Sequence, residues 1–359
     1  MAVVVWLDEV SAADAPEVGG KAASLGELIA AGLPVPPGFA VTTTAYTSSR
    51  DTAGHGRDIA TLLAGVDSQD LDALSRVSQS VRSIVAEFPI PDQVEAAIRS
   101  AYARLGSQAG DLLLPVAVRS SARGEDSLDA SFAGEHDTFL WLTGADDVIE
   151  AVRRCWTSLF TDRAVSYRAE MGLEHSSLAM GVVVQAMVRP TSAGVAFTLN
   201  PSNGDRSVVA IDSAWGFGEG VVSGEVTPDS FLVDKVMNAI VSRVVSTKEH
   251  EFVLVDGDRV ARADLAPERA STSSLTDEQV MEIAGLARRA ERHARCPQDV
   301  EWALVRGADG ESSIVLLQTR PETVWSRLDT DGVAGARSDD RMSSIVSTLL
   351  SPLHAQQED

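Results

Sequence analysis

The chain has 359 residues, 44% of them apolar, with 30 basic against 52 acidic side chains and a formal charge of −22. That length exceeds one typical core, so two domains or subdomains are expected. The acidic balance is the reverse of what a nucleic-acid binder carries, so any polyanionic ligand must be held by a few local cations against the global field. Cys155 and Cys296 are too few and too far apart for a disulfide framework or a zinc site, which fits a reducing compartment. The apolar run Val3 to Leu7 is shorter than a signal-peptide core, and no stretch approaches ~18 uninterrupted apolar residues. The expectation is a soluble cytoplasmic protein that associates with neither membrane nor nucleic acid.

In Val18 to Pro37, Ala22, Leu25, Leu28, Ile29 and Leu33 recur at helical spacing, and Gly32 is placed to end the helix. Lys21 falls in the first turn, where the helix dipole favours anions rather than cations. That placement suits a third party that is itself an anion: Gly19 and Gly20 allow close backbone approach and the helix start offers free N–H groups. An ordinary surface lysine beside a glycine turn is the competing reading. Residues 47 to 114 read as a helical insert without chemistry, carrying Leu71, Leu74, Val77, Val81 and Ile84 and then Val94, Ile98 and Tyr102.

From Val116 a short strand runs into Arg119, followed by a loop of small and acidic residues, and an apolar pattern resumes at Phe139 to Leu142. Arg119 leaving a buried strand needs a partner, either a phosphate or an internal acid such as Glu125 or Asp126. Gly134 and Thr138 are candidates for backbone and hydroxyl contacts to phosphate oxygens, while His136 reads as a surface residue. Asp146 to Glu170 reads as one helix. Met180 to Val188 is an apolar run with a single Gln185, as in a strand buried on both faces. Its exit at Arg189 and Pro190 marks a hinge whose backbone suits an adenine edge. Further strands are expected at 194–199, 207–213, 230–234, 239–246 and 252–255. WGFGEG (215–220) misses the dinucleotide pattern because Val221 stands where the last glycine belongs. Leu275 to Ala294 is an amphipathic helix with Thr276 as its N-cap and Glu278 and Gln279 close behind.

That helix delivers the chain to residues 297 to 320, two strand-like runs joined by the polar loop Arg306 to Ser312. Period-2 alternation sends Val300, Trp302 and Leu304 to one face and Asp299, Glu301 and Ala303 to the other. The same count in the second run groups Ile314 and Leu316 with Gln318 and Arg320. A hairpin brings Glu301 near Gln318 and Arg320, a set that can hold a divalent cation such as Mg²⁺ with the phosphates it neutralises. A solvated hairpin face with ordinary charges is the alternative.

Four blocks in order resemble the nucleotide-binding domain of the phosphoenolpyruvate synthase and pyruvate phosphate dikinase family. They are GGKAASLGEL with GLPVPPGF, VAVRSSARGEDSLDASFAG, VVVQAMV through SAWGFGEGVVSGEVTPD, and CPQDVEWA with LLQTRP. The resemblance runs from about residue 18 to 325. It implies an α+β, ATP-grasp fold, with ATP in a cleft between two subdomains: residues 1–185 with the helical insert, and residues 186–326. Residues 327–359 remain as a polar tail with one short helical stretch for docking a partner.

The same resemblance implies roles. Lys21 would contact the terminal phosphates, and Arg119 and Arg320 would steady transferring charge. Gly134 and Thr138 would belong to the loop over the phosphates, and Gln185, Met187 and Val188 to the adenine hinge. Glu301 and Gln318 would ligate Mg²⁺, with Asp299 and Arg320 completing the phosphate site. The chain departs from the family at Ser120 to Asp126, SSARGED where SSATAED is common. It departs again at Glu135, His136 and Asp137, where Gln-Gln-Glu is common. None of its six histidines sits in the setting of the family's phosphocarrier histidine. A fragment, or the ATP-binding subunit of a two-component dikinase, is therefore expected. A separate subunit would then carry that histidine and the acceptor site, as in split phenol and cresol phosphate synthases. A pyruvate or rifamycin acceptor, or a non-catalytic nucleotide sensor, are the alternatives.

Overall fold

The structure is a computed structural model that describes residues 2–64, 66, 70–122, 126, 127, 130, 131, 138–170, 178–257, 259–307 and 310–325. The chain divides into two compact units, one of Met1–Ala23, Pro37–Glu125 and Glu135–Met187, the other of Ser24–Pro36, Asp126–Gly134 and Val188–Asp359. No helix among the described residues is long and apolar enough to cross a membrane.

Up to residue 186 the elements are β1 (Val4–Trp6), α1 (Ala15–Val18), α2 (Gly20–Ala30), β2 (Gly38–Val41), α3 (Thr43–Ala53), α4 (Gly56–Ala64), α5 (Leu71–Ala86), α6 (Asp92–Ala109), β3 (Val116–Ala122), β4 (Asp126–Ser127), β5 (Ala130–Ser131), β6 (Thr138–Leu142), α7 (Ala145–Thr157), α8 (Asp162–Glu170) and β7 (Met180–Ala186). In the first unit the strands form one antiparallel sheet in the order β1-β2-β7-β3-β6. Alternation along these strands separates two faces. Phe39, Val41, Val116, Val118, Val182 and Val184 share a core with Tyr46, Val81, Ile98, Val152 and Trp156 of the helices. The opposite face carries Arg119, Ser121 and Gln185.

The helix start and stop signals act locally as their chemistry requires. Asp70 caps α5 by accepting the Ala73 N–H at 2.9 Å. At the end of α2, Gly32 takes φ +67° while its N–H donates to Ile29 O and that of Leu33 to Leu28 O, a Schellman closure. The single helix expected over 146–170 is two, because Thr161 turns extended and its hydroxyl accepts the Ala164 N–H at 3.3 Å, restarting the helix as α8.

The second unit adds β8 (Pro190–Phe197), β9 (Val208–Trp215), α9 (Glu219–Val222), β10 (Asp229–Asp234), β11 (Ala239–Val244), β12 (His250–Val255), β13 (Arg259–Asp264), α10 (Pro267–Ala270), α11 (Asp277–Ala294), β14 (Gln298–Arg306) and β15 (Ser312–Pro321). Its six-stranded antiparallel sheet runs β11-β10-β9-β8-β14-β15, with β12 and β13 as a separate hairpin. Thr276 and Gln279 close a capping box on α11, whose Val280, Ile283, Ala284, Ala287 and Ala290 are buried. One face of the large sheet is apolar and closed, with Ile211, Phe231, Val300, Trp302, Ile314 and Leu316 at 2% exposure or less.

On that closed face lies a polar knot. Asp229 Oδ2 accepts the Ser274 N–H at 2.8 Å and hydroxyl at 2.7 Å, while Oδ1 accepts the Ser246 N–H at 3.0 Å and a proton of Lys248 Nζ. Lys248 also donates to Ser246 O at 3.0 Å, and both charged side chains are fully buried. Ser192 Oγ donates to Ser274 O, and Ser213 Oγ lies 2.9 Å from Ser274 Oγ. A buried ion pair of this kind is tolerable because neither charge is left short of partners.

Candidate functional site

In the second unit the candidate side chains are gathered by the β14/β15 hairpin. Asp299 pairs with Arg320, Val300 with Thr319 and Glu301 with Gln318, and then the register slips so that Trp302 pairs with Leu316. Leu317 is the extra residue of a β-bulge. Directly opposed residues share a face, so Asp299, Glu301, Gln318 and Arg320 stand together, while Ile314 and Leu316 go to the closed face with Trp302. This corrects the strict alternation expected for β15, which put Gln318 and Arg320 on the side of Ile314 and Leu316. The physical reason is visible at the slip: the Leu316 N–H donates to Pro34 O at 2.7 Å.

The four side chains are partly buried, and their charges are not balanced internally. Arg320 Nε lies 3.3 Å from Asp299 Oδ2, whereas Asp299 Oδ1 is buried with no hydrogen-bond partner among the described residues. Burial pushes the Asp299 carboxyl up to about 6; Arg320 opposes the shift, and Glu322 and Glu301 add to it. A buried carboxyl oxygen without a donor is what a site for a cation or a ligand proton leaves behind. Among the described residues there is no group of three or more His, Cys, Asp or Glu that could hold a metal ion. A cation at Glu301 and Gln318 would therefore complete its shell with water and ligand oxygens, the habit of Mg²⁺.

In the first unit, Arg119 on β3 pairs with Thr138 on β6 and with Val183 on β7, while Gln185 stands opposite Ala117. Arg119, Thr138 and Gln185 therefore share the face of the sheet turned away from the helical core. The β3/β6 register is irregular at this point, and Trp141 takes φ +61° there, which brings Thr138 level with Arg119. Lys21 lies in the first turn of α2. The glycine before that turn serves protein packing rather than a ligand: a Cβ on Gly19, where φ is +82°, would meet Ser121 O at 1.9 Å. The Ala22 N–H is likewise taken, donating to the buried Ser121 Oγ at 3.2 Å. Gly134 lies outside the described residues, as do His136, Glu125 and the 327–359 tail.

The hinge differs in detail from its expectation. The N–H groups of Ala186 and Met187 are committed to Pro37 O and Pro115 O, both at 2.9 Å, so neither is free for a base edge. Ser121 and Glu322 each hold local structure that no motif in the chain announces. Ser121 caps α2, and only the small size of its block hinted at close packing. Glu322 is 5% exposed and accepts the Val324 and Trp325 N–H groups at 2.6 and 2.8 Å, a turn role that a lone Glu after Pro321 does not announce.

Comparison with known proteins identifies the family of the chain. Residues 15–340 match the family described as "Pyruvate phosphate dikinase, AMP/ATP-binding domain". The chain is 40% identical over 327 residues to a probable phosphoenolpyruvate synthase of Methanocaldococcus jannaschii, covering 91% of this chain and 27% of that protein. It is 39% identical over 351 residues to the phosphoenolpyruvate synthase of Aeropyrum pernix, covering 90% of this chain and 43% of that protein. It is also 40% identical over 322 residues to a rifampicin phosphotransferase of Streptomyces sp, covering 89% and 36%. The chain thus spans less than half the length of these relatives. A D-alanyl-alanine synthetase A of Vibrio cholerae overlays 77% of this chain and 64% of its own at 12% identity, but its TM-score of 0.29 is too low to argue from. With the family matched across most of its length, the chain belongs to the AMP/ATP-binding domains of the pyruvate phosphate dikinase family.

Proposed function

We propose that the chain binds MgATP through an ATP-grasp-type site and is the nucleotide-binding part of a dikinase-type phosphotransferase. The reading is carried by the bulged hairpin, which turns Asp299, Glu301, Gln318 and Arg320 to one face. Family membership supports ATP as the nucleotide. In this reading Glu301 and Gln318 hold a divalent cation, which supplies charge neutralisation at the phosphate oxygens. Lys21, Arg119 and Arg320 neutralise the remaining phosphate charge, Thr138 and Gly134 contact the phosphates, and Asp299 orients Arg320. Gln185 and the hinge through Met187 and Val188 receive the base. With the N–H groups of 186 and 187 committed, Val188 is the next donor in line. Phosphoryl transfer asks mainly for such positioning and charge stabilisation, and little covalent chemistry.

In this reading the β-phosphoryl of ATP passes to a histidine nitrogen on a separate polypeptide with AMP as the leaving group, and water takes the γ-phosphoryl, which is released as phosphate. A phenol or cresol is the final acceptor in this reading, by resemblance to split synthases. The names of the relatives favour pyruvate or a rifamycin as the second choice. The test is direct. The chain alone should bind ATP in a Mg²⁺-dependent manner, and AMP should accumulate only once a histidine-bearing polypeptide is added. ADP as the sole nucleotide product of that mixture would refute the dikinase assignment.

A further inference from the structure

The segment 215–220, WGFGEG, is the one motif left without a role. Its glycines are fixed by packing. At Gly216, φ is +74° and a Cβ would meet Phe252 O at 2.1 Å; at Gly220 it would meet the Phe252 ring at 2.8 Å. Backbone bonds pin the segment at both sides, from Gly216 N–H to Thr191 O at 3.0 Å and from Phe217 N–H to Phe252 O at 2.8 Å. The loop is therefore rigid and leads straight into α9.

The direction of each α9 residue follows from its neighbours. A Cβ on Gly218 would touch Ala193 at 3.4 Å, and Val222 packs with Val195, Phe197, Ala210 and Leu232. Those residues alternate with the closed face, so α9 lies on the face that carries Glu301. Phe217 and Val221 instead join Ala214, Val226 and Phe252. At about 100° per residue, Gly218 and Val222 turn to the sheet and Phe217, Gly220 and Val221 turn to Phe252. Residue 219 is left on the flank toward β8, whose Val195 pairs with Glu301. There Glu219 is half-buried, its pKa raised by burial and then by Glu225, with no hydrogen bond from the described residues to offset either.

We propose that Glu219 binds the ribose of the nucleotide, its carboxylate accepting the hydroxyl protons of the 2′,3′-diol. A carboxylate with two acceptor oxygens and no donor among the described residues matches a vicinal diol, and ribose hydroxyls are held this way in other nucleotide sites. The position agrees with the length of the ligand. Ala193 sits two residues from Val195 along β8, about 7 Å at ~3.3 Å per residue, toward the Val188 end where the base is placed and away from the row of Glu301. This inference rests on the ATP reading above.

The experiment compares binding of ATP, 2′-deoxy-ATP and 3′-deoxy-ATP, each with Mg²⁺, to the full chain and to Glu219→Gln and Glu219→Ala. The wild-type chain should bind ATP at least tenfold more tightly than the weaker of the two deoxy analogues. In both variants that ratio should fall to within about twofold. The isosteric glutamine variant carries the comparison if the alanine variant does not fold. Equal affinity of the wild type for all three nucleotides overturns the proposal, and so does discrimination that persists in both variants. If no nucleotide binds at all, the ATP reading itself falls.

Discussion

Glu301 stands directly opposite Gln318 in the β14/β15 ladder because the bulge at Leu317 absorbs one extra residue of β15. In a regular ladder of the full count the acid would face Leu317 instead, and Gln318 and Arg320 would turn to the closed side. Deletion of Leu317 removes the residue that the bulge absorbs, so regular pairing should still set Gln318 opposite Glu301 and keep nucleotide binding. Insertion of one alanine beside Leu317 adds a residue that the bulge does not absorb, and should cost several kcal/mol of stability together with nucleotide binding. Leu317→Ala, which keeps the count, should retain both. Urea unfolding and calorimetric titration with MgATP check the pair.

Glu301→Gln should leave the thermal midpoint within a few degrees of the parent, since the side chain is partly exposed and bonded to no charge among the described residues. The same change should weaken Mg²⁺-dependent ATP binding and reduce transfer to a histidine acceptor by about a hundredfold or more. Unaltered turnover would show that the cation is held elsewhere.

Asp299 should mark the pH dependence of folding in the absence of divalent ions. Its folded pKa, about 6, lies above the ordinary 3.8, so the folded chain holds this proton more firmly than the unfolded chain. The stabilising contribution is then complete below pH ~4 and is lost as pH rises to ~6, at most roughly 3 kcal/mol in all. Asp299→Asn cannot lose a proton there. Denaturation of both proteins from pH 4 to 8 should show the parent falling relative to the variant across that window and running parallel above it. A difference that grows the opposite way would contradict the burial argument.

Gly19→Ala should be among the most damaging single changes in the first unit. It sets a methyl group against Ser121 O in a left-handed backbone position. Ser121→Ala removes only the cap on the Ala22 N–H and should cost about 1 kcal/mol. Thermal melts order the two.

Most of this was legible in the chain because it rests on periodicity and capping. The Val, Trp and Leu alternation of β14, the Thr276 to Gln279 box and the lone Gln185 in an apolar run each specify a local structure whose cause is local. The bulge was not legible, because one added residue leaves composition and period almost intact, and its cause is a hydrogen bond to Pro34 far away in sequence. Ser121 escaped for a similar reason: a serine among small residues does not reveal that a glycine will rest on its carbonyl. β13 was missed because Arg259, Val260, Ala261 and Arg262 lie on an exposed hairpin, where little apolar pattern is needed.

The Asp229 and Lys248 knot sits behind the sheet, on the side away from Glu301. It joins β10, residues 246–248 and the start of α11 at one point, much as a rivet holds separate plates. Loosening it, for example with Lys248→Met, would strand a carboxylate in the interior and should weaken the whole unit by about 3–5 kcal/mol. A scaffold fastened from the rear in this manner can tolerate a half-satisfied acid such as Asp299 on its front, one oxygen paired with Arg320 and the other without a partner among the described residues.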